Sequence, residues 1–232
     1  MTEPSVGAPG DRAAAGTEVG VGPWVGSWPD DPRFDPVLLA GGDRRNVLDR
    51  YRYWSVSAIV ADLDTRRHPF HVAVENLVHD FNIGSIVRSA NAFGAAAVHV
   101  VGRRRWNRRG AMVTDRYLTV QHHADAADLA AWAADAGLAV VGVDNVEGAR
   151  TLESAALPRS CVLVFGSEGP GLSAELLARC SEVVAITQFG STGSLNAGAA
   201  AAVVMHSWVL DHADLSGRRA APAGRTGPGP RR

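Results

Sequence analysis

The chain has 232 residues, 46% of them hydrophobic and 20% charged, with a formal net charge of −1 at pH 7. That length suits one ordinary domain with a core and tails, and so balanced a charge names no partner. All 23 Lys+Arg positions are Arg, which with the abundant Ala and Gly reads as genome composition and excludes any loop that needs a lysine.

Residues 1–45 are rich in Gly, Pro, Ala and Asp without a period and read as a disordered tail, in which Trp24, Trp28 and Phe34 are the only docking candidates. Val56–Ala61 and His71–Glu75 read as strands, residues 83–93 as a helix and Ala97–Val101 as a strand. Asp125–Ala136 reads as a helix stopped by Gly137. Leu138–Val143 and Cys161–Phe165 are short apolar runs of the kind found in strands buried on both faces. Ser173 opens a helix to about Arg179, Val183–Ile186 is a further strand, and Leu195 to about His212 is a last long helix. Residues 216–232 form a basic tail, read either as a solvated end or as a loose attraction for RNA. Strands alternating with helices predict an α/β domain over 46–215 with a mostly parallel sheet flanked by helices.

Cys161 and Cys180 lack metal-ligand spacing and fit a reduced, cytoplasmic protein better than a disulfide scaffold. No signal-peptide pattern is present, and the small-apolar run 197–205 falls short of the roughly 20 residues that span a bilayer, so no membrane partner is expected. The eight His are scattered, so no metal site is expected; His122-His123 is the nearest approach to one.

Two features carry chemistry. In Asn82-Ile-Gly-Ser-Ile-Val-Arg88-Ser-Ala-Asn-Ala-Phe-Gly94, Ile83, Ile86, Val87, Ala90 and Phe93 make one apolar stripe, with Asn82 as N-cap and Gly94 just past the end. Gly84 lies one turn before Arg88 and predicts room for a ligand to reach the guanidinium. The second feature is a set of three glycine-bearing loops, 144–148, 166–173 and 187–196, each following a strand. In parallel sheets ligands bind outside the carboxyl ends of the strands, and glycine permits either close backbone approach or merely a tight turn. The loops are neither a G-x-G-x-x-G fingerprint, nor a Walker A loop, nor a G-x-S-x-G elbow.

Three blocks in order resemble the motifs of the SpoU/TrmH family, the SPOUT-class RNA ribose 2′-O-methyltransferases: Glu75 to Gly94, Val164 to Ser173 and Ile186 to Asn196. The third departs from the common Ile-Pro-Met start, with Thr187 and Gln188 in place of the last two. The resemblance implies a deep trefoil knot over about 140–212, a homodimer, and S-adenosylmethionine held by Val143, Asp144, Gly166, Glu168, Gly169, Ile186, Gln188, Ser194 and Leu195. The implied catalytic residues are Arg88, Asn82, Glu168, Ser194 and Asn196. A guanidinium normally stays protonated, so Arg88 is read as a phosphate clamp and alkoxide stabiliser rather than as the base. Arg103, Arg104, Arg105, Trp106, Arg108 and Arg109 form the densest basic segment and suit phosphate contact with base stacking. The expected substrate is tRNA or rRNA. A non-catalytic RNA-binding relative, a base-nitrogen methyltransferase and an unrelated nucleotide-binding enzyme stay open at this point.

Overall fold

The computed structural model describes residues 20–76, 82–167 and 169–216. It divides into two compact units, residues 1–59 and 60–232. In the first, residues 20–45 are not the structureless tail expected of them. They carry helix α1 (Pro36–Gly41), capped by the Asp35 side chain on the Val37 amide. The Asp43 carboxylate is buried and accepts from the Arg45 guanidinium at 2.7 Å and from the Tyr53 amide at 2.9 Å. Burial alone works to raise its pKa, but these bonds hold it down at about 2. Trp24 lies edge-on to Phe34 and Tyr53. An unperiodic, Gly/Pro-rich stretch thus gains its order from one buried ion pair and an aromatic cluster, neither of which leaves a helix or strand period to read. The expected tails at 1–19 and 217–232 lie outside the described residues.

Helix α2 (Val56–Asp64) replaces the strand expected at 56–61. Val56, Ile59, Val60 and Leu63 recur at helical rather than alternating spacing, and the Ser55 hydroxyl accepts from the Ala58 amide, as an N-cap does.

The second unit holds β1 (Phe70–Asn76), α3 (Ile83–Ala92), β2 (Val98–Gly102), β3 (Val120–His123), α4 (Ala126–Asp135), β4 (Ala139–Val143) and β5 (Arg150–Thr151). There follow β6 (Cys161–Phe165), α5 (Ala174–Leu177), β7 (Glu182–Ala185) and α6 (Ala197–His212). The strands form one sheet in the order β3-β2-β1-β6-β4-β7-β5. Every pairing in it is parallel, as the alternating pattern predicts. The polar β3 and the two-residue β5 have no apolar run to announce them; ladder bonds to β2 and β7 make them strands.

Alternation along the strands sorts the core into two layers. Phe70, Val72, Val74, Val98, Val100, Leu163 and Phe165 face α3 and α6, where Ile83, Ile86, Val87, Ala90, Ala201, Val204, Met205 and Trp208 meet them. Ala73, Val101, Val140, Val162 and Val164 face α4 and α5. Helix α3 ends in a Schellman motif: Gly94 takes φ +68°, its N–H donates to the Asn91 carbonyl and that of Ala95 to the Ala90 carbonyl. Among the described residues no helix is long and apolar enough to cross a membrane.

Candidate active site

Strands β6, β4 and β7 are neighbours in the sheet, so the loops that follow them leave its carboxyl edge side by side. Together they enclose a cleft of about 800 Å³, within the size range of small-molecule sites. Val143 and Asp144, Gly166 and Gly169, and Ile186, Gln188, Ser194, Leu195 and Asn196 all line it. Residues read from three separate loops are thereby brought together. Glu168 lies outside the described residues, as does His79 of the first block.

The cleft wall is built around glycine. Gly171 N–H donates to the Ser167 carbonyl and Ser167 N–H to that of Gly171, at 3.0 and 3.1 Å, which ties these two residues together. A Cβ on Gly166 would overlap the Gly171 carbonyl and the Leu172 amide. Gly171 has φ +72° and lies against the Asp144 carboxylate, which accepts from Leu172 N–H at 2.7 Å. Glu75, which sequence reasoning gave no role, anchors the same loop: its buried carboxylate accepts from the Ser173 amide at 2.7 Å and hydroxyl at 2.6 Å, and its carbonyl accepts from the Ser167 hydroxyl. Its signal in the sequence is a lone acidic residue in an apolar strand. Behind the wall, Gly142 leaves space for Cys180 Sγ. Burial pushes that thiol up to about 11, so it remains protonated and is no nucleophile at neutral pH.

Asn196 joins the cleft to α3. Its Oδ1 caps α6 by accepting from the Ala199 amide, and its Nδ2 donates to Asn82 Oδ1 at 2.9 Å. The side chain of Asn82 does not cap α3, contrary to expectation; Asn82 is helical in its own backbone and its Oδ1 is turned to Asn196 instead. Gly198 allows this approach, since a Cβ there would crowd Ser85 Cβ at 3.1 Å. The helix expected from Leu195 accordingly starts at Ala197.

Arg88 does not line the cleft. It is exposed on α3, and no hydrogen bond or ion pair joins it to another described residue. The room predicted at Gly84 is not left for a ligand: a Cβ there would lie 2.7 Å from Gly110 Cα and Ala111 N. Gly84 exists for backbone packing, and what it admits is the end of the basic segment.

That segment is fixed at both ends. Asn76, the last residue of β1, donates through Nδ2 to the carbonyls of Arg103 (2.5 Å) and Arg105 (2.9 Å), and Arg103 N–H returns a bond to the Asn76 carbonyl. Downstream, Asn107 Oδ1 accepts from the Arg109 amide ahead of Gly110. Arg103, Arg104, Arg105, Arg108 and Arg109 are all exposed. Only Arg108 has an acidic neighbour among the described residues, Asp115 at 3.5 Å. Trp106 is half-buried against the core beside α3, with Arg108 5.5 Å from its ring, so it anchors the segment rather than standing free for stacking. The result is a fan of exposed guanidinium groups at the same sheet edge as the cleft, of which Arg103, Arg104, Arg105 and Arg109 have no acidic partner among the described residues.

The fold is a parallel α/β sheet with a glycine-walled cleft at its carboxyl edge and a pinned, exposed arginine segment at the same edge. Residues 69–206 match the model of the SpoU rRNA methylase family, more than half of the chain, and the chain belongs to that family. It is 36% identical over 186 residues to an uncharacterized tRNA/rRNA methyltransferase of Mycolicibacterium vanbaalenii, covering 75% of this chain and 58% of that protein. The chain spans about half the length of the curated relatives it matches. Among solved structures it is similar to the SpoU methyltransferase AviRb from Streptomyces viridochromogenes in complex with the cofactor AdoMet. That match has 27% identity and a TM-score of 0.56, over 64% of this chain and 60% of that one. An RNA 2′-O ribose methyltransferase matches with 27% identity and a TM-score of 0.55, over 63% and 58%.

Proposed function

We propose that this chain is an S-adenosylmethionine-dependent enzyme that methylates a ribose 2′-hydroxyl of tRNA or rRNA in the cytoplasm. The observation that carries the reading is the single cleft made by three glycine-bearing strand ends and tied through Asn196 to the helix of Arg88. Family membership and the cofactor of AviRb support it, and the ribose as target is supported by the 2′-O ribose methyltransferase among the similar structures.

The residues present fit the cofactor: Gly166 and Gly171 clear backbone on one wall, Ile186 and Leu195 offer an apolar strip, and the volume is ample. When bound, it supplies the methyl group on a sulfonium. The chain's part is to position the ribose hydroxyl in line and stabilise the oxygen as it loses its proton. Ser194 and Asn196, both at the cleft and the second bonded to Asn82, orient the ribose. Arg88, charged and without a hydrogen-bond or ion-pair partner among the described residues, binds the neighbouring phosphate and the developing alkoxide. Glu168 is assigned to holding the cofactor loop. A second copy of the chain completes the site in this reading. Its support is the exposed apolar stripe of α6, where Val203 and Leu210 lie open to solvent on the helix that packs against α3. The knot over about 140–212 belongs to the same reading, and family membership is its support.

The test is transfer of labelled methyl from S-adenosylmethionine to tRNA and rRNA, with nucleoside analysis of the product. The label is expected on ribose, and label on a base would overturn the ribose assignment. In the same assay Arg88→Lys is expected to lower kcat at least about tenfold, because an ammonium cannot reproduce the planar, two-pronged guanidinium contact. Near-normal turnover would remove Arg88 from the site. Binding to RNA should depend on salt through the pinned arginines. Replacing Arg104 and Arg105 by Gln is expected to reduce the slope of log K against log salt by about 0.7 per lost contact with single-stranded RNA. An unchanged slope would take the segment out of the interface.

A further inference from the structure

The two departures in the third block, Thr187 and Gln188, have a structural consequence of their own. Thr187 N–H donates to Glu153 Oε1 at 3.2 Å, and its hydroxyl donates to Glu153 Oε2 at 2.7 Å. A proline at this position has neither donor. These bonds, the hydroxyl's above all, hold the Glu153 carboxyl below its ordinary range, so it is ionised and the clamp is charge-assisted at neutral pH. The clamp fastens the start of the 187–196 loop to the turn at Leu152–Ser154.

Gln188, the next residue, lines the cleft. Its Oε1 is shielded from solvent and has no hydrogen-bond partner among the described residues. A buried acceptor without a donor is costly, and at a cleft a donor on a bound molecule is one way to complete it. The terminal torsion of a glutamine is broad, so a small rotation brings this oxygen to bear on a molecule in the cleft.

We infer that Gln188 is a specificity-determining residue whose side-chain oxygen accepts a hydrogen bond from the exocyclic amine of the cofactor's adenine, with Glu153 and Thr187 as its positioning pair. Of the donors on that cofactor, the ammonium is charged and the ribose hydroxyls also accept. The exocyclic amine is neutral and donates only, which matches a neutral acceptor in a cleft that Ala185, Ile186 and Leu195 also line. This inference rests on the cofactor reading above.

Calorimetric titration of the full chain with S-adenosylhomocysteine, and with its analogue lacking the 6-amino group, tests both. The wild-type protein is expected to bind the adenine compound about five- to tenfold more tightly than the analogue, the range of one hydrogen bond. Gln188→Met is expected to bind the two equally, whereas Gln188→Glu, which retains the acceptor, keeps the preference. An equal preference in wild type and Gln188→Met, or no preference in the wild type, overturns the inference while leaving the cofactor reading intact. Failure of the wild type to bind either compound overturns both.

Discussion

Gly166→Ala is expected to destabilise the protein by about 3 kcal/mol and to abolish measurable binding of S-adenosylmethionine. The added methyl group meets only backbone, the Gly171 carbonyl and the Leu172 amide, and backbone cannot rotate aside as a side chain does. Relief requires breaking the bonds between Ser167 and Gly171, and with them the bond from Leu172 N–H to Asp144. The cleft wall and the fold therefore fail together. Gly169→Ala is the control: Gly169 has φ +96° but open space where its Cβ would be, so its cost is backbone strain alone, about 1–2 kcal/mol. Urea unfolding and calorimetry of the two variants side by side provide the measurement. Equal effects would show that steric exclusion at Gly166 is not what shapes the wall.

The largest pH effect is expected from a row of histidines on the sheet face opposite α3. His71 Nδ1 lies 3.0 Å from His99 Nε2, and His99 Nδ1 lies 2.9 Å from His123 Nε2, on β1, β2 and β3 in turn. Trp132 of α4 covers His99 at 4.1 Å between ring centroids. Each gap holds one hydrogen, and three neutral rings carry three. The arrangement closes when every ring donates toward β3, leaving the last N–H, His123 Nδ1, facing the Asp128 carboxylate across 3.6 Å. An additional proton on His99 has no acceptor. Burial, reinforced by His71 and His123, lowers its pKa to about 3. Burial also lowers His71 and His123, with His122 adding to the lowering of His123 and Asp128 opposing it.

In the unfolded chain the same group titrates near 6.5. Below that pH the unfolded state takes up a proton that the folded state refuses, so stability present above pH 6.5 is lost as the pH falls toward 3. For His99 alone the loss is about 1.4 kcal/mol per pH unit, reaching about 4 kcal/mol near pH 3.5. Urea unfolding between pH 7 and 4 should show at least that slope, with His71 and His123 adding to it in the same direction. His99→Leu is expected to be less stable at pH 7, because it strands the His71 donor and the His123 acceptor, yet to show a slope smaller by about one proton. Equal slopes would place the acid sensitivity elsewhere.

How legible all this was depended on whether the deciding interaction is local. Buried strands such as Cys161–Phe165 announce themselves, because two buried faces demand an unbroken apolar run. The stripe and the glycine stop of α3 are equally local, and both stand in the structure. By contrast, β3 is polar and exists only because β2 offers it a ladder, and α1 with its neighbours is ordered around the single buried carboxylate of Asp43. The same divide runs through the site. The three glycine loops could be read one by one, while their meeting depends on the order β6-β4-β7, which no segment encodes by itself.

By itself the sequence determined the α/β class, the parallel sheet, the glycine loops and a resemblance that family membership bears out. Tertiary structure alone decided what the particular residues do. Gly84 makes way for Gly110 rather than for a ligand, Asn82 turns from its helix to Asn196, Glu75 anchors a loop 98 residues onward, and Gln188 is left with an acceptor to fill. The physical reason is the same in each case. Propensity and period act over a few residues, whereas excluded volume and hydrogen-bond satisfaction are settled between chain segments that meet only in the folded protein.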